Sequence, residues 1–144
     1  MDVMIRGAGE KDYKELMKLY DEFVEESRYS EGDQDSFQEV LASTENFISV
    51  AEDKGKLVGF VTFSTRWVVR YPAPIAEMDE LYVKPDYRRQ GLGSKLVEEI
   101  LKKAAELGCS RMFIDTHIKH EAAQKLSEKM GFTHYGHHFV RDLD

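Results

Sequence analysis

The run Arg88-Arg89-Gln90-Gly91-Leu92-Gly93 separates an apolar stretch ending Leu81-Tyr82-Val83 from a segment whose apolar residues recur at helical spacing. This junction constrains the fold more than any other feature, because a strand has to enter it and a helix has to leave it. Two glycines one residue apart let the backbone turn sharply and approach a ligand without Cβ interference. The first amides of the helix then have no intrahelical partner, and the helix start carries a partial positive charge of about half an electron. Together they form a cradle for a phosphate or pyrophosphate, with Arg88 and Arg89 adding mobile positive charge beside it. Other phosphate motifs fit poorly. A dinucleotide fingerprint needs a third glycine, and in a Walker loop the lysine precedes the hydroxyl residue, the reverse of Ser94-Lys95.

The rest of the chain is read around this junction. Val3 to Arg6 is a short strand, and residues 10–26 are a helix with Tyr13, Leu16, Met17, Tyr20, Phe23 and Val24 on one stripe. A polar loop follows over 28–34, then a short helix from about Ser36 to Ala42. Asn46–Ala51 and Leu57–Arg66 are strands separated by the hairpin signal Asp53-Lys54-Gly55. Pro72 and Pro74 introduce a strand over roughly Ile75–Val83. The helix over 91–107 places Leu92, Leu96, Val97, Ile100, Leu101 and Ala104 on one face and closes with Gly108. Met112-Phe113-Ile114 is a buried strand, Glu121–Met130 a helix with Ala122, Ala123, Leu126 and Met130 inward, and Thr133–Val140 one or two final strands. The strand–helix–strand unit from 75 to 116 implies a crossover between parallel strands, with the cradle at their carboxyl ends.

Composition narrows the class. The 144 residues, 42% hydrophobic and 11% aromatic, suit one domain spanning 1–144 with a real core. A formal charge of −7 argues against nucleic acid as a ligand and permits steering of a cationic substrate. No apolar stretch approaches membrane-spanning length and the N-terminus lacks a signal pattern. The single Cys109 excludes an internal disulfide and reads as a small packed residue. These features lead us to expect a cytoplasmic protein with no membrane partner, and a homodimer is compatible with them.

The segment Glu80-Leu81-Tyr82-Val83-Lys84-Pro85-Asp86-Tyr87-Arg88-Arg89-Gln90-Gly91-Leu92-Gly93 resembles the acetyl-CoA motif of the GNAT superfamily of N-acetyltransferases. Ala123, Gly131 and Phe132 resemble that family's closing Ala…Gly-Phe signature, while Gly136 and Phe139 suit its last strand. The resemblance implies an α/β fold: a mixed central sheet of about six to seven strands flanked by about four helices, with a parallel strand pair splayed around acetyl-CoA. It implies that acetyl-CoA serves as cosubstrate. Pantetheine would lie along Leu81, Tyr82 and Val83 like an added strand, and the pyrophosphate would rest among Arg88, Arg89, Gln90, Gly91, Leu92, Gly93 and Ser94. The acceptor would be a primary amine: a small molecule, an aminoglycoside-like compound, or a peptide lysine or N-terminus.

An amine must be neutral to attack a thioester. Deprotonating a lysine-like amine at pH 7 costs about 4–5 kcal/mol, which a carboxylate can offset by accepting the proton. The strand before the cradle offers Glu77, Asp79 and Glu80, and simple alternation puts the first two on one face. The family places a glutamate at the level of Glu77 or Asp79, so both are catalytic candidates. Two departures stand out. Where the family often has a tyrosine acting as general acid this chain has Ser127, and where it often has an asparagine this chain has His120. The serine keeps open a second reading, a catalytically weak acetyl-CoA sensor, and the cradle itself a third, a nucleotide- or metal-binding domain. All five histidines fall between 117 and 138. No metal site is expected, because His134 and His138 share a strand face that His137 does not, and no cysteine or nearby carboxylate completes a set. His117 and His120 are candidates for contact with substrate. The first helices and the last hairpin contribute Tyr20, Glu25, Glu26, Tyr29, Glu31, Asp33 and Trp67 as candidate acceptor contacts.

Overall fold

The computed structural model describes residues 2–24, 34–115 and 121–143. Five strands form one sheet in the order β1 (Val3–Gly7), β2 (Asn46–Asp53), β3 (Lys56–Arg66), β4 (Ile75–Val83), β5 (Met112–Ile114). The first four pair antiparallel; β4 and β5 are parallel. Among the described residues four helices flank the sheet: α1 (Tyr13–Val24), α2 (Gln34–Ala42), α3 (Leu92–Glu106) and α4 (Glu121–Lys129). The β2–β3 hairpin closes through Lys54 and Gly55, both at positive φ, as a tight two-residue turn requires.

Each face of the sheet carries its own core. On one, Leu16 and Leu19 of α1 and Phe37 of α2 pack against Val50, Phe60 and Tyr82. On the other, Leu92, Leu96, Val97, Ile100 and Ala104 of α3 pack against Ala51, Val61, Phe63, Ala76 and Met78. Neighbours such as Val50 and Ala51 serve opposite cores because successive strand side chains alternate. Glu15 fixes α1 over the sheet by accepting the Leu57 amide, 2.6 Å away. Cys109 packs at the edge of the α3 core, where burial pushes its thiol above the ordinary range. Arg6 clamps the N-terminal corner with a two-pronged contact to Asp12 (2.8 and 2.9 Å) and a third bond to Glu52 at 2.9 Å.

Sheet size and the C-terminus depart from expectation. The sheet has five strands, not six or seven, because 133–143 forms none. Phe139, Val140 and Leu143 are exposed there, so no apolar face drives the segment into the sheet. Ala122, expected to face inward, is also exposed, whereas Leu126 and Met130 pack as anticipated. Leu19, buried on α1, lies outside the apolar stripe read from the sequence. Residues 25 and 26 of the expected first helix lie outside the described residues. Among the described residues, no helix is long and apolar enough to cross a membrane.

Candidate active site

The cradle forms where β4 gives way to α3. A short 3-10 turn, Pro85–Tyr87, carries the chain over, and Gly91 caps α3 at φ +81°, a conformation that penalises any side chain. Arg89, also at positive φ, turns the backbone just before it. Gly93 has a different role: a Cβ there would come within 3.3 Å of Leu126 Cδ2, so the glycine allows α3 and α4 to pack closely. Tyr87 donates to Asp53 Oδ2 and ties the turn to the β2–β3 hairpin. Arg88, expected as mobile charge, is instead tethered. Its Nε donates to the Val83 carbonyl at 2.8 Å and its guanidinium lies over the Tyr82 ring. Gln90 donates to the Asp86 carbonyl at 3.1 Å.

Immediately upstream, β4 loses its parallel partner. β5 pairs only with Ala76, Glu77 and Met78, while β3 continues along Glu80, Leu81, Tyr82 and Val83. From Asp79 onward the β5-facing edge of β4 is therefore unpaired among the described residues, giving a strand-length row of backbone donors and acceptors. Leu81 and Val83 turn toward the α3 core. Tyr82 points the other way and its hydroxyl donates to Glu22 at 2.9 Å; burial, with that contact, pushes its phenol up to about 12.

The break in pairing coincides with a β-bulge. Thr62 pairs with Glu80 and Phe63 with Met78, so Asp79 is the extra residue. The bulge overturns the expected alternation. Ala76 and Met78 face α3 before it, Leu81 and Val83 face α3 after it, and Asp79 and Glu80 line one cavity together. That cavity, about 130 Å³, is walled by Tyr20, Val40, Phe47, Ile48, Thr62 and Phe63, with Asn46 at its edge. Glu80 is held in place by the Tyr20 hydroxyl and by Thr62 Oγ1 at 3.1 Å. Burial and the Glu80 charge push the Tyr20 phenol up, which keeps it a neutral donor. Asp79 is reached by solvent, yet loss of hydration and the charges of Glu77, Glu80 and Asp115 push its carboxyl up to about 6, against a stabilising bond from Ser64. Such a carboxyl is ionised at neutral pH and more basic than an ordinary aspartate.

Glu77 lies elsewhere. It pairs with Arg66 at 3.2 Å and sits against Asp115, whose carboxyl is pushed up by burial and by the contact with Glu77. The two catalytic candidates thus occupy different surroundings, and Asp79 belongs to the cavity. Tyr20 is brought to the same cavity, but Trp67 is not. Trp67 is 73% exposed and lines a separate hollow of about 220 Å³ beside Pro74, at the end of β4 opposite the cradle. Glu25, Glu26, Tyr29, Glu31, Asp33, His117 and His120 lie outside the described residues. Thr62, which sequence reasoning missed, gives no motif signal; only strand register brings it to Glu80.

Ser127 sits on α4 and its Oγ donates to the Ala123 carbonyl at 2.8 Å, a bond one helical turn back that occupies its proton. The histidines are also arranged differently from expectation. His134 stacks edge-on with His137, while His138 meets Asp115.

The profile of the Acetyltransferase (GNAT) family matches residues 13–132. An uncharacterized N-acetyltransferase of Archaeoglobus fulgidus is 32% identical over 108 residues, 71% of this chain and 74% of that protein. The thialysine N-epsilon-acetyltransferase of Bos taurus is 28% identical, covering 90% of this chain and 83% of the relative. Against several other curated relatives the matched stretch covers only 43% to 58% of their length. A crystal structure of an aminoglycoside acetyltransferase from a soil metagenomic sample, in complex with sisomicin, superposes with a TM-score of 0.87 at 22% identity, over 99% of this chain and 97% of that one; at that identity the likeness concerns the fold. The fold is shared with solved acetyltransferase structures. The chain belongs to the GNAT acetyltransferase family, and it is an acetyltransferase enzyme.

Proposed function

We propose that this chain transfers an acetyl group from acetyl-CoA to a primary amine, with Asp79 as the base that receives the amine proton. The observation that carries the reading is the bulge at Asp79, which falls where β4 stops pairing with β5. Pantetheine amides pair with the free edge of β4 along Leu81, Tyr82 and Val83, as an added strand would. The pyrophosphate takes the backbone amides from Arg89 to Ser94, and Arg88 exchanges the Val83 carbonyl for phosphate. The thioester carbon then lies near the bulge. The amine nitrogen attacks that carbon, its proton passes to Asp79 directly or through one water, the C–S bond breaks, and CoA leaves as thiolate. Glu80, fixed by Tyr20 and Thr62, holds the incoming ammonium group beside the aromatic wall. Support also comes from relatives whose names specify amine acetylation of thialysine and of aminoglycosides.

No acid is assigned to the leaving thiolate. Ser127 already gives its proton to Ala123, and a thiol with a pKa near 8.5 leaves without one. Release of free thiol from acetyl-CoA across a panel of amines tests the reading. Amine-dependent turnover that Asp79→Asn abolishes supports it. Tight acetyl-CoA binding without turnover on any amine favours the sensor reading instead.

A further inference from the structure

The structure assigns a divalent-metal site, suited to zinc, to Glu77, Asp115 and His138. Among the described residues these three each offer one ligand atom within 4.8 Å of the others, and they come from three separate segments: β4, the residue after β5, and the C-terminal stretch. Two of the donors are already at coordination spacing. His138 Nε2 stands 3.4 Å from Asp115 Oδ2, and a tetrahedral zinc with bonds of about 2.1 Å separates its ligands by about 3.4 Å. The Glu77 carboxylate lies within 4.8 Å of both, so a side-chain adjustment brings it to coordination distance. An imidazole with two carboxylates is a set that zinc accepts, leaving the fourth position to water. Two carboxylates in contact repel unless a proton or a metal cation stands between them. Arg66 relieves this only partly, since it reaches Glu77 Oε1 at 3.2 Å and leaves the other carboxylate oxygen available.

The metal ties down an otherwise loosely attached segment. Residues 133–143 form no strand, and their attachments are side-chain contacts such as Tyr135 on Phe113 and His138 on Asp115. Zinc coordinated by Glu77, Asp115 and His138 fastens the C-terminal stretch to the β4–β5 pair. This does not depend on the acyl-transfer reading, and its test needs no catalysis.

The test is a zinc titration of chelator-stripped full-length protein against a chromophoric competitor, with chymotryptic cleavage after Phe139 as a second readout. We expect one zinc per chain at micromolar affinity or tighter, and slower cleavage when zinc is present. His138→Ala and Asp115→Asn each weaken binding at least tenfold and remove the protection. His134→Ala and His137→Ala leave both readouts unchanged. His138 is 75% exposed on its side chain, so its loss does not disturb folding, which circular dichroism checks. The site is overturned if wild type takes up no stoichiometric zinc, if His138→Ala binds like wild type, or if the His134 and His137 variants lose as much as the His138 variant.

Discussion

From Leu81 onward β4 has, among the described residues, an unpaired edge of backbone groups, whereas Asp79 and Glu80 turn side chains into a cavity. The cradle depends on a positive φ at Gly91, on helix amides, and on a strand edge freed where pairing ends at Met78 and Ile114. The cavity beside it depends on which way Asp79 and Glu80 point, and a single extra residue in the ladder decides that. Backbone-borne recognition survives most side-chain changes and breaks with one change of conformation. Side-chain recognition behaves the other way round.

The comparison breaks first if the base is wrong. Asp79→Asn should lower turnover by roughly 10²–10⁴ with acetyl-CoA affinity intact, whereas Glu77→Gln, outside the cavity, should cost less than about tenfold. Steady-state thiol release in the presence of chelator measures both, and a larger loss in Glu77→Gln returns the base to that residue. Next in size is the cradle. Gly91→Val puts a β-branched side chain at φ +81°, adding strain of about 1–3 kcal/mol and bulk beside the phosphates. Calorimetric titration should find acetyl-CoA affinity down roughly 10–100-fold, because the strained turn relaxes in the free protein and restoring it on binding costs about tenfold per 1.4 kcal/mol. Unchanged affinity in the folded variant would move the pyrophosphate elsewhere.

Smaller again is Ser127→Ala, which removes a hydroxyl already bonded to Ala123 and should cost no more than about tenfold in turnover. A thousandfold loss with affinity intact means the serine carries a proton or an essential water. The smallest effect on turnover belongs to the Arg6–Asp12 clamp, remote from both halves of β4. Arg6 holds the Asp12 carboxyl below its usual range, so this pair's stabilisation is present above the unfolded value near pH 3.9 and fades as pH falls through the lower folded value. Asp12→Asn should lower the melting temperature at neutral pH, lose that difference from wild type in acid, and leave turnover per folded molecule unchanged.

Contiguity decides how much of this is legible in the sequence. The cradle occupies one run of the chain, and the apolar spacing of 91–107 predicts α3 to within a residue at each end, because helix period and turn chemistry are local. Alternation fails at Asp79 because a bulge follows from the fit between two strands, and neither strand contains it alone. The same limit hides the Tyr20–Glu80–Thr62 contact, whose members are 60 and 18 residues apart. The final strands fail for a related reason. Residues 133–140 have strand-like composition, but β5 pairs over only three residues, and a strand needs a ladder as well as a propensity.

The bulge also makes β4 a strand of two phases. Ala76 and Met78 fill the α3 core in one parity and Leu81 and Val83 fill it in the other, and the bulge absorbs the odd residue at Asp79 so that both segments stay seated. Deleting that residue would restore regular alternation, with Leu81 and Val83 still facing α3 and Tyr82 still facing α1, and would remove only the bulge and its carboxylate. The core of β4 is thus built by the residues on either side of position 79, which leaves that position open to change without loss of packing.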